Sequence, residues 1–142
     1  MREILFRGKK FKTPHDELIP GWVYGFYCSN SGAHFITHVV EPDSGGCYFS
    51  DILVDPETVG QFTGLIDKND VMIFEGDIVD TSGTDLLAGL PNSTLGVVEW
   101  DDRIGGFNPF ADYYSDCGIF TEANKCVVVG NIHDNPELLE VR

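Results

Sequence analysis

Basic side chains are scarce in this chain. Nine Lys and Arg stand against 23 Asp and Glu over 142 residues, a formal net charge of −14. A surface so short of cations cannot displace counterions, which argues against sequence-independent binding to nucleic acid or to an anionic membrane surface. Long apolar runs are missing too: charges interrupt each one before the roughly 20 residues that a membrane helix requires. Residues 1–7 carry charge where a signal peptide has its apolar centre, so the expected location is cytoplasmic. No CxxC pair, GxSxG, HExxH, GxGxxG after a strand, or phosphate loop followed by Lys occurs. The usual signatures of zinc, hydrolase and nucleotide sites are therefore lacking. The four cysteines, Cys28, Cys47, Cys117 and Cys126, each lie in or beside an apolar or aromatic stretch, and are expected as buried free thiols.

What is present is a globular composition, 42% hydrophobic with a mean hydropathy of −0.07. Ten Phe, five Tyr and two Trp accompany 16 Gly and seven Pro, the balance of short strands joined by tight turns. The fold class expected is mainly β, either all-β or α+β, in a single domain over residues 1–142.

Along the chain, Ile4 to Phe6 reads as a first strand, with Gly8-Lys9-Lys10 as a turn and Phe11 opening its partner. Five of the nine basic residues, Arg2, Arg7, Lys9, Lys10 and Lys12, fall in this stretch and read as solvated charges on an edge strand. Trp22, Tyr24 and Phe26 alternate with Val23, Gly25 and Tyr27, and residues 34–40 are β-branched; both are strand patterns. Residues 41–46 form a turn cluster, and Ile52 to Val54 a short strand. Asp55 caps a helical turn that starts at Pro56 and extends to Phe62. Residues 63–70 read as a polar turn in which Asp67 and Asn69 cap, followed by a strand over 71–74. Gly76, between Glu75 and Asp77, marks a bend. Residues 81–94 are expected as a long loop, 95–100 as one strand, and 126–132 as a strand covered on both sides. Asn135 and Pro136 open a second short helical turn over 136–140.

Three segments in order, Thr58 to Leu65, Ile73 to Val79 and Val129 to Leu139, together with the opening Met1 to Arg7, resemble the YopX protein family. The resemblance implies a phage- or prophage-encoded protein of the bacterial host cytoplasm with an SH3-like barrel-type β body, and it supplies no catalytic residue. Asn69-Asp70 stands where similar sequences have an Asn-Gly turn.

Glu75 and Asp77 share a strand face and form the candidate metal or acid–base pair, without a third ligand at a recognisable spacing. His34 and His38 lie roughly 13 Å apart along a strand, too far to chelate one ion. His15 and His133 read as surface histidines. Trp22, Tyr24, Leu86, Leu87, Phe107, Phe110, Tyr113 and Tyr114 are the candidate protein-contact residues. With no cofactor motif and no assembled catalytic set, the expectation is a non-enzymatic interaction module. It would form a homo-oligomer or bind a basic host or phage protein. A metal- or ligand-binding protein or enzyme using acidic clusters is the alternative, and a DNA mimic ranks below it.

Overall fold

Alternation of side chains decides the first half of the chain. The computed structural model describes residues 2–11, 21–81, 95–110 and 122–140. Phe6–Lys9 forms β1, Trp22–Asn30 β2, Ala33–Val40 β3, Tyr48–Leu53 β4 and Gly60–Ile66 β5. The chain divides into two compact units, Met1–Phe62 and Thr63–Arg142.

In the first unit the strands run β4-β3-β2-β1-β5, with antiparallel registers. Ser31 (φ 52°) and Gly32 (φ 82°) make the two-residue turn between β2 and β3, where a left-handed pair matches the twist of the flanking strands. The first strand is not at an edge: Arg7 faces Tyr24 on one side and Gly60 on the other. Nor does the chain turn at Gly8. A Cβ there would lie 3.1 Å from the Val54 side chain, so the glycine allows close approach inside a strand. Arg7 is correspondingly buried rather than solvated, its guanidinium 4.5 Å from the Trp22 ring centroid, a cation–π geometry. Beyond β1, Lys10 bridges Val54, and Asp55 N–H donates to the Lys9 carbonyl at 2.9 Å. Asp55 Oδ1 accepts from Glu57 N–H at 3.0 Å, capping a 3-10 turn of only three residues, Pro56–Thr58. The turn stops short of Phe62 because Gly60 and Gln61 pair with β1.

In the second unit Met72–Phe74 is β6, Asp77–Asp80 β7, Leu95–Val97 β8, Glu99–Asp101 β9, Gly106–Asn108 β10 and Val127–Asn131 β11. Strands β11-β7-β8 form one sheet and β10-β9 another. Thr63 to Ile66, expected as part of a turn, continue β5, and Thr63 Oγ1 donates to the Ile73 carbonyl at 2.8 Å. The expected strand over 95–100 is broken at Val98. Its backbone closes on Gly76 and Asp77, so that β8 pairs β7 while β9 pairs β10. Ile73, Val79, Val98, Phe107 and Cys126 are the buried cluster. Val129 is exposed, so β11 is not covered on both sides. A four-residue 3-10 turn, Pro136–Leu139, follows, and its Leu139 is exposed.

The mainly β expectation holds. Among the described residues no helix is long and apolar enough to cross a membrane. Residues 82–94 of the expected loop, and with them Leu86 and Leu87, lie outside the described residues, as do His15, Tyr113, Tyr114 and Cys117.

Candidate functional site

Side chains that could do chemistry are, in the second unit, occupied in holding turns. Asp67 is 2% exposed. Its Oδ1 accepts from Asn69 N–H at 2.7 Å and Val71 N–H at 2.9 Å, and its Oδ2 from Val128 N–H at 2.9 Å. Burial alone would raise its pKa, but the three donors outweigh it and hold the carboxyl below its usual value. Asp70 takes the left-handed conformation (φ 63°) that an Asn-Gly turn would give to glycine.

The candidate pair Glu75 and Asp77 flanks Gly76 (φ 92°). Asp77 is 2% exposed and its Oδ2 accepts from Phe74 N–H at 2.8 Å, closing the turn from β6 to β7. One carboxylate of the pair thus serves the backbone. Among the described residues no group of three or more His, Cys, Asp or Glu is placed to hold a metal ion.

Gly76 also meets the third of the sequence segments: Ile132 N–H donates to the Gly76 carbonyl at 2.9 Å. Asn131 Oδ1 accepts from His133 N–H and Asp134 N–H at 3.0 and 2.9 Å, and its Nδ2 donates to Asp134 Oδ2 at 3.1 Å. Asn135 does not cap the turn it precedes. Its Oδ1 accepts from Asn131 N–H instead, so close to Gly130 that a Cβ there would lie 2.6 Å away. Segments 50 residues apart in sequence therefore have the residue types that let their backbones touch.

A shallow hollow of about 510 Å³ lies in this unit, walled by Gly64, Leu65, Ile66, Phe110, Ala123, Asn124 and Glu122. Its carboxylate, Glu122, is paired with Lys125 Nζ at 2.7 Å. Cys126 is fully buried, its thiol donating to the Glu122 carbonyl at 3.3 Å. Burial, with the charges of Asp80 and Asp67, pushes the thiol up to about 11, so it is a poor nucleophile. Cys28 and Cys47, expected to be buried, are exposed, because both lie on or next to the outer face described below. At the tip of the β9–β10 ribbon Asp101 is lowered to about 2, chiefly by hydrogen bonds from Arg103. Arg103 is open to solvent, whereas the Asp101 side chain is largely covered.

The candidate contact residues separate. Phe107 is buried in the core, edge-on to Trp100 at 5.0 Å, and Phe110 packs against the same cluster. Trp22 is half-buried under Arg7, whereas Tyr24 is exposed. Tyr24 belongs to a surface whose other members escaped the sequence reading. Residues opposite each other in an antiparallel pair share a face. In β2 and β3 Phe26 faces Thr37 and Cys28 faces Phe35; in β3 and β4 Val39 faces Phe49, Thr37 faces Asp51 and Phe35 faces Leu53. Tyr24, Phe26, Val39, Phe49 and Leu53 are 46, 59, 45, 70 and 45% exposed. The opposite face carries buried Ile36, with Tyr27 stacked on His34 and bonded to its Nδ1 at 2.5 Å. His38 Nδ1, on that inner side, is buried with no hydrogen-bond partner among the described residues. Aromatics at both even and odd positions of 22–27 were the signal that this sheet would have an apolar outer face as well as an inner one.

The crystal structure of protein EF1440 from Enterococcus faecalis is similar to this chain at 25% identity, with a TM-score of 0.44, covering 76% of this chain and 78% of that one. No curated protein matches. Residues 26–140 match the family described as YopX protein. With most of its length inside that match, and with the braced turns falling within it, the chain belongs to the YopX protein family.

Proposed function

We propose that this chain works by contact with other protein surfaces and not by catalysis. The observation that carries the reading is the outer face of β2, β3 and β4. It exposes Tyr24, Phe26, Val39, Phe49 and Leu53 side by side in a chain whose net charge is −14. Water-exposed apolar surface is costly, and a contiguous patch of this kind marks interaction sites. Of the candidate metal or acid–base pair, Asp77 is engaged with a backbone N–H group, as is the buried Asp67 beyond it. The acidic remainder would speed encounter with a basic host or phage protein. An SH3-like barrel body belongs to this proposal, and the Lys10–Val54 bridge beyond β1 is its first support.

The test is affinity capture by the immobilised full chain, run beside Phe26→Ser/Phe49→Ser. Under the proposal the wild type retains a defined binder, whether its own soluble copy or another protein, and the double variant loses it. A wild type that is monomeric and retains nothing, or a binder held equally by both chains, refutes the role of this face.

A further inference from the structure

We infer that the outer face of β2, β3 and β4 is covered by the same face of a second copy of this chain. This deepens the contact reading above and rests on it. The first support is area. With about 150–250 Å² for an aromatic side chain and somewhat less for an aliphatic one, the exposed fractions of Tyr24, Phe26, Val39, Phe49 and Leu53 amount to about 500 Å². A stable interface of standard size buries about 800 Å² per partner, a little more than half of it apolar. The patch therefore matches the apolar core of one such interface, and its size is that of the largest apolar patches on monomers, which are often functional.

The second support is charge. Between residues 13 and 62 there are seven acidic residues and no basic one, yet on β2, β3 and β4 this face carries a single charge, Asp51, with Arg7 of β1 opposite Tyr24 on the other side. That carboxylate accepts from Thr37 Oγ1 at 2.6 Å, and it lies on β4, the last strand of the order on that side. Two such faces can pack with Tyr24, Phe26 and Val39 in the middle and β4 towards the margin, where Asp51 stays wet between Phe49 and Leu53, as in an aligned sheet-on-sheet contact. A partner chosen for basic charge would be drawn instead to the exposed acids beyond the strand ends, Glu41, Asp43 and Glu57, and would leave the rings wet.

The two occupants respond to salt in opposite directions. Copies of a chain at −14 repel each other, so added salt strengthens an apolar self-contact, whereas it weakens a contact held by opposite charge. Sedimentation or light scattering of the full chain, from about 0.05 M to about 0.5 M salt, should show a discrete assembly that tightens with salt. Phe26→Ser/Phe49→Ser should weaken it by about tenfold or more, since interface aromatics are the side chains whose truncation costs most. Val71→Thr, an exposed apolar position of the second unit, should leave it unchanged. Phe26, Phe49 and Val71 are each partly covered, so circular dichroism checks that both variants fold. A second readout needs no substitution. Cys28 lies on the face and is exposed, so its alkylation, followed by peptide mass spectrometry, should slow as the assembly forms.

An assembly that survives the double substitution overturns the inference and the role of this face together; one that salt dissolves overturns the inference while leaving the contact reading in place. A monomer at every salt concentration that still retains a protein through this face does the same. A monomer that retains nothing overturns both.

Discussion

Asp67 shows how much one side chain can decide. Its two oxygens take three backbone N–H groups from Asn69, Val71 and Val128. The local part was legible: an Asp before a polar pair is a turn cap. The bond to Val128, 61 residues on, was not, because only folding brings β11 there. Asp67→Asn keeps the shape but replaces one acceptor oxygen with a donor. Chemical denaturation at neutral pH should show a loss of about 2–3 kcal/mol, the worth of a hydrogen bond to a charged group. Because the folded carboxyl titrates below its ordinary value, its contribution is complete above the unfolded pKa of about 4 and fades as pH falls through the folded one. The gap between wild type and variant should therefore narrow in that acid window; a gap that widened there would refute the assignment. At Gly25 a Cβ would meet the Thr37 carbonyl at 2.1 Å, whereas at Gly21 it would meet nothing within 4 Å. Gly25→Ala should cost more than about 3 kcal/mol or prevent folding, and Gly21→Ala should change stability by no more than about 1 kcal/mol.

At the scale of elements, strands β2, β3 and β7 follow from aromatic, β-branched or apolar runs bounded by turn residues. The errors fell where a glycine or a polar residue was taken as a turn. Gly8 and Thr63 to Ile66 are strand, since neighbouring backbones satisfy them better than a turn would. The opposite error was to read 95–100 as one strand: Val98 gives its backbone to Gly76 and Asp77, and the pairing partner changes there. The β6–β7 turn offers a test of the candidate carboxylates. Asp77→Ala should lower unfolding free energy by about 2 kcal/mol through the unsatisfied Phe74 N–H, and Glu75→Ala by less. Divalent ions should leave the melting temperature of the wild type unchanged; a shift abolished by changing both residues would restore the metal reading. The thiols test the burial of elements. Cys28 and Cys47 should react with a maleimide in the folded chain, and Cys126, buried and titrating near 11, only after unfolding.

For the whole molecule the governing quantity is the charge of −14. Self-repulsion of that size opposes compaction, so added salt should raise the denaturation midpoint by screening it. A midpoint lowered by salt would mean that attractive ion pairs dominate, against the exposed placement of the Arg103 side chain in its pair with Asp101. Composition, charge and alternation by themselves determined that the chain is mainly β, rich in tight turns and acidic, because those properties belong to neighbouring residues and to sums over residues. Only the tertiary structure decided that Arg7 and Asp77 lie inside, that Cys28 lies outside, and which aromatic rings form the core and which the open face. Phe107 and Phe26 are both strand aromatics, and no local pattern separates them. Register and strand order do, by fixing which side of each sheet meets other chain and which meets water.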